Sequence, residues 1–118
     1  MSTDINARNV LKVKADDPKA TDEIRRTSLK KLAGAIAHTL RNEGSAKVRC
    51  FGNACIGKAA KAIAIARGMV AIHGYDLFTA ISYIEAEMGG ATKTGICFVV
   101  FSNETDQNDL KELVSSQD

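Results

Sequence analysis

The stretch VRCFGNACIGKAAKAIAIARGMVAI, Val48–Ile72, decides how the rest of the chain is arranged. It opens as a strand, with Val48 and Cys50 on the core side and Lys47, Arg49 and Phe51 facing away. It turns at Gly52-Asn53 and continues as an Ala-rich helix over Ala54–Ile72. A strand that feeds a glycine turn and a helix start presents backbone N–H groups to which an anion can bind. The helix is apolar nearly all round, with Ile56, Ala60, Ile63 and Val70 on one side and Ala62, Ile65 and Met69 on another. Such a helix is central to a fold or covered by a second subunit.

Gly52–Ala59 comes close to the phosphate-binding pattern GxxxxGK[ST], in the strand-to-helix position that pattern requires. Ala59 stands where the Mg²⁺-binding hydroxyl belongs, so nucleotide hydrolysis is disfavoured. Two readings of the turn remain: backbone amides with Asn53 and Lys58 touching an anion, or a glycine turn that lets the helix pack closely.

Upstream, Asn9–Ala15 alternates as a half-buried strand, Leu11 and Val13 inward and Val10, Lys12 and Lys14 outward. Residues 1–8 are polar and expected to be disordered. Asp16–Thr27 is a long polar connection holding Pro18, Arg25 and Arg26, functional or disordered by its length. Ser28–Glu43 has the apolar stripe of an amphipathic helix (Leu29, Leu32, Ala33, Ile36, Ala37, Leu40), with Thr27 or Ser28 as cap and Gly44 as terminator. Its polar side carries Lys30, Lys31, His38 and Arg41. Downstream, Asp76–Met88 and Thr94–Ser102 read as two strands joined by a hairpin loop at residues 89–93, which holds Lys93. A helix over Ile81–Met88 is the alternative, since Ala, Glu and Met favour it. The expected architecture is a two-layer α/β domain over residues 9–102, order β-α-β-α-β-β, with a four-stranded mixed sheet and two helices on one face.

Charge is unevenly distributed. Residues 103–118 carry five acids against Lys111, a net of −4, which leaves residues 1–102 at +6. A basic body with an acidic tail points either to an anionic partner, with a tail that competes with it, or simply to a solvated surface and a polar C-terminus. Leu110, Leu113 and Val114 give the tail one short apolar stripe. Cys50, Cys55 and Cys97 are odd in number and lack CxxC spacing, which fits free thiols in a reducing cytoplasm. His38 and His73 have no ligand-spaced neighbours, so no metal or other cofactor is expected, and no run suits a membrane span. Glu85 and Glu87 share a strand face without a second catalytic group beside them. The coherent set is basic: Lys12, Lys14, Lys47 and Arg49 on neighbouring strands, Arg25, Arg26, Lys30 and Lys31 around the first helix, and Lys93 in the hairpin. Point charges spread in this way suit phosphate backbones more than base reading.

Three stretches carry a resemblance: LKV at Leu11–Val13, LAGAIAHTLRNEG at Leu32–Gly44, and GNACIGKAAKAIAIARGMVAIHGYDL at Gly52–Leu77. With KAIAIARG, Lys61–Gly68, as the most specific part, the chain resembles the stage V sporulation protein S family, within the Alba superfamily. The resemblance implies an Alba-like fold, similar to the C-terminal domain of translation initiation factor three. It also implies a homodimer or homotetramer, and a non-enzymatic regulator that binds DNA or RNA. Basic residues before the first helix, at the turn before the second and in the hairpin are implied as contacts. In this chain these places hold Arg25, Arg26, Lys30 and Lys31; Asn53 and Lys58; and Lys93. The alternative is an oligomeric scaffold, or a small-anion-binding regulator, without nucleic acid.

Overall fold

The computed structural model describes residues 7–103. The elements are β1 (Val10–Lys12), α1 (Asp22–Glu43), β2 (Ser45–Cys50), α2 (Asn53–Ala71), β3 (Leu77–Met88) and β4 (Ala91–Ser102). This is the expected β-α-β-α-β-β order, on one four-stranded mixed sheet with strand order β1-β2-β4-β3. β1 pairs in parallel with β2, whereas β4 lies antiparallel to both of its neighbours. The last of the four described strands in sequence is therefore an inner strand.

The two helices form one layer because their buried stripes meet the same face of the sheet. Ala33, Ile36, Ala37 and Leu40 of α1 join Cys55, Ala59, Ala62, Ala66 and Val70 of α2 over Ala46, Val48, Cys50, Phe98 and Val100. Small side chains dominate the α2 stripe, and alanines on both helices allow close approach. Within the domain α2 is buried along one side. Ile56, Ile63 and Ile65 flank the core half-buried, while Ala60, Ala64 and Met69 are exposed.

α1 starts at Asp22, six residues before the expected Ser28. Thr21 is its cap, accepting a hydrogen bond from the Ile24 N–H, and Asp22 and Glu23 in the first turn suit the helix dipole. Half of the expected 16–27 connection is thus helical. Gly44 ends the helix in the left-handed conformation, φ 83°, with its N–H donating to the Leu40 carbonyl. β1 is shorter than its alternation suggested and ends at Lys12.

The strand reading of residues 81–88 holds over its helical alternative. Every residue from Leu77 to Met88 pairs with β4. The hairpin turn is only Gly89-Gly90, both at positive φ, and Lys93 lies inside β4, not in a loop. On α2, the Arg67 guanidinium meets the Asp76 carboxylate at 2.7 Å, fastening the helix to the start of β3. Arg67 foremost, then the Leu77 N–H, hold the Asp76 carboxyl below its usual pKa. The expectations for residues 1–6 and 104–118 lie outside the described residues.

Candidate functional site

The site is built where β1, the following connection, α1 and α2 converge. β2 ends at Cys50, and α2 begins at Asn53 after Gly52, whose φ of 94° excludes most side chains. The six residues from Asn53 to Lys58 are already helical. A phosphate-cradling loop needs that segment non-helical, so the near-match to the nucleotide pattern does not form the corresponding structure.

Lys58 instead points inward across the domain. Its ammonium donates to the Lys14 carbonyl at 3.0 Å, the Asp16 carboxylate at 2.8 Å and the Ser28 hydroxyl at 2.7 Å. An ammonium has three hydrogens, and all three are used. The side chains of Lys58 and Asp16 are 13% and 17% exposed, so solvent screens the pair only partly. The hydrogen bond from Lys58, followed by that from Ser28, lowers the Asp16 carboxyl pKa, against an opposing contribution from burial. Sequence reading missed this group of residues. Its members lie up to 44 residues apart, and no local pattern signals them.

Arg25 has a similar positioning role. Its Nη2 donates to the carbonyls of Asp17 and Pro18, and its Nε to that of Ala20. The Lys19 N–H also donates to the Asp17 side chain at 2.8 Å. The connection is therefore held by Lys58 at one end and Arg25 at the other.

What this frame leaves facing solvent is basic. Arg26, Lys30 and Lys31 on the first turns of α1 are exposed, as are Lys12, Lys14 and Lys93. Arg26 and Lys30 stand one turn apart on the same side of α1. Asn53 is exposed at the first position of α2. Lys47 and Arg49, expected on an outer surface, do lie on the sheet face away from the helices, but they are 6% and 8% exposed. The Arg49 guanidinium lies 5.8 Å from the centre of the Phe51 ring. Apart from the buried Lys47 and Arg49, the candidate residues thus separate into three on α1 (Arg26, Lys30 and Lys31), four dispersed over the sheet and its turns (Lys12, Lys14, Asn53 and Lys93), and two, Arg25 and Lys58, that position the backbone.

Cys50, Cys55 and Cys97 are buried and form no disulfide. Burial pushes the Cys50 thiol up to about 12. Among the described residues, no group of three His, Cys, Asp or Glu side chains is placed to hold a metal ion, and no helix is long and apolar enough to cross a membrane.

The fold and the cluster together define a small two-layer α/β protein of Alba-like architecture with a basic first helix. The family model described as stage V sporulation protein S matches residues 24–103, and the chain belongs to that family. The match starts within the first turn of α1 and runs through the end of β4.

Proposed function

We propose that this sporulation-family protein is a non-enzymatic, cytoplasmic regulator that binds DNA or RNA through the phosphate backbone as a dimer or higher oligomer. The observation that supports it is the exposed trio Arg26, Lys30 and Lys31, on a helix start held in place by the Lys58 and Arg25 contacts. Like charges held this close repel one another, and a polyanion relieves that repulsion while releasing its own counterions. Lys12, Lys14, Asn53 and Lys93 extend the contact set more weakly, being spread over the sheet and its turns. Arg25 and Lys58 act by positioning the connection.

The test is a salt titration of binding to duplex DNA and to RNA. Changing Arg26, Lys30 and Lys31 to Gln should reduce the slope of log K against log salt by about 2 to 3, at roughly 0.9 for each B-DNA phosphate no longer neutralised. Lys61→Gln, on the exposed side of α2, serves as the control. No binding by the full chain at low salt, or an unchanged slope in the triple variant, would overturn the proposal.

Oligomer formation is supported by apolar side chains left in solvent on the helix-bearing side. Ile72 at the end of α2 is 81% exposed, and Ile81 and Tyr83 on β3 are 68% and 65% exposed. β3 is also a long edge strand, the kind of surface that another chain covers. Ile81→Asp should convert the assembly to monomers in sedimentation velocity without lowering helix content. A monomeric wild-type protein at high micromolar concentration would rule out this part of the proposal.

A further inference from the structure

Among the described strands β3 is an open edge of the sheet, and it has none of the features that keep such an edge solitary. Its twelve residues, LFTAISYIEAEM, include no Pro, Lys or Arg. They pair with β4 one for one, from Leu77 with Ser102 to Met88 with Ala91, so no bulge twists the edge away. Alternate residues of an edge strand turn their N–H and C=O groups outward. β2 supports the hairpin only from Ile96 to Phe101 of β4, so residues 84–88 and 91–95 run on as a ribbon of two strands. Such a ribbon is weak unless a further strand or a helix supports it.

The side chains define the strand that would complete it. Thr79, Ile81 and Tyr83 pair with Val100, Phe98 and Ile96 of the helix-covered core, so they and Glu85 and Glu87 lie on the helix-bearing face. All five are exposed. This face of β3 is therefore apolar in its middle and acidic toward the hairpin. Its other end is basic: Arg67 of α2 reaches the Asp76 carboxylate there with its side chain largely exposed. The complement is a strand running the opposite way, with its acids at the Arg67 end and apolar side chains at the centre. β3 of a second copy has that pattern.

We propose that β3 pairs antiparallel with β3 of a second copy about a two-fold axis at Ser82, joining two four-stranded sheets into one. Antiparallel partners share a face, so the axis falls on a residue and not between two. At Ser82 it pairs Ile81 with the partner's Tyr83, a favourable combination of β-branched and aromatic side chains. It also sets Thr79 opposite the partner's Glu85, and Glu87 opposite the partner's Leu77, near the partner's Arg67. An axis at Tyr83 would instead place Ile81 against the partner's Glu85. An axis at Ile81 would shorten the overlap and break both Ile–Tyr pairs. The axis stands normal to the sheet, so both α1 helices stay on one side, where a single polyanion reaches both basic clusters. The pairing rests on the oligomer reading above, and this last consequence on the nucleic-acid reading.

Cross-linking reads the register without a ligand. Thr79→Cys and Glu85→Cys alter exposed residues, and the native cysteines are buried and form no disulfide. Refolded together and mildly oxidised, the two variants should give a disulfide-linked dimer with one chain of each. Neither variant alone should do so, because each new thiol stands about 20 Å along the strand from its counterpart in the partner. Thr79→Cys linking instead to Tyr83→Cys would move the axis and overturn the proposal. In the unmutated chain, the outward-facing β3 amides should exchange at least about tenfold more slowly in the dimer than in the diluted monomer. Slow exchange in the monomer assigns the edge to a segment of the same chain, and fast exchange in the dimer assigns the dimer to another surface; either overturns the proposal. A dimer that fails both tests leaves the oligomer reading standing without β3 pairing, whereas a chain that is monomeric at every concentration removes both.

Discussion

Replacing Gly95 by Ala should cost about 2 to 3 kcal/mol, although the change adds a single methyl group. A Cβ at this position would collide with the Cys50 backbone carbonyl and would come within 2.7 Å and 2.9 Å of two carbons of the Phe51 ring. The ring can swing aside, but the carbonyl belongs to the neighbouring strand and can move only if the strands separate. Gly95 is therefore the floor on which Phe51 lies, and Phe51 in turn lies beside the Arg49 guanidinium. The loss should be read as a fall in the urea midpoint with an unchanged slope, and as a drop in Tm of roughly 10 °C or more for a domain of this size. Thr94→Ala, one residue away on an exposed position, should change stability by no more than about 0.5 kcal/mol. Equal midpoints for Gly95→Ala and wild type would show that the strands are not in contact there.

Lys58→Met should cost about 2 kcal/mol at neutral pH, within the range for hydrogen bonds to charged groups and discounted for partial exposure. Methionine retains the length and apolar character of the stem, so the loss is that of the ammonium. Asp16, Ser28 and the Lys14 carbonyl then lose their shared donor. The pH dependence has a definite sign. Asp16 has its pKa lowered in the folded protein, so it stabilises the fold above the unfolded value of about 3.9, and this stabilisation is lost as pH falls through the folded value. The gap between wild type and Lys58→Met should therefore be full at pH 7 and shrink below about pH 4. Unfolding in urea across this range tests it; a gap that widens in acid would mean that Asp16 is not the partner that matters. Asp16→Asn combined with Lys58→Met should cost less than the sum of the two single changes, because the residues share one interaction.

The parts of this fold that were legible in the sequence are those with a repeating signal. Val48 and Cys50 announce the core face of β2 by alternation, and Gly44 announces the end of α1 because that position takes a positive φ. The family motif lies over α2, where small residues recur at helical spacing. The start of α1 lacks any such signal. From Asp22 to Thr27 the helix buries nothing, and even Ile24 is 56% exposed, so the apolar stripe begins only at Leu29. Thr21 followed by two acids was the readable cue, one of chemistry and not of periodicity. The role of Lys58 was beyond reach for another reason. Its near-match to a phosphate loop is local, whereas its three acceptors come from distant segments that only the folded chain assembles. Lys47 and Arg49 illustrate the same limit, since alternation assigns a side chain to a face without saying whether that face is wet.

The strand order also bears on how the chain is made. Of the four described strands β4 is synthesised last, yet it separates β2 from β3 and is hydrogen-bonded to both. While the ribosome still holds residues 91–102, β2 and β3 each present an unpaired edge, and the apolar layer over Phe98 and Val100 is open. Every fragment that stops before Ala91 lacks the piece that closes the sheet. Its free edges are templates for other chains. Closure of this sheet accordingly waits for β4, and termination before it yields sticky fragments rather than smaller folded domains.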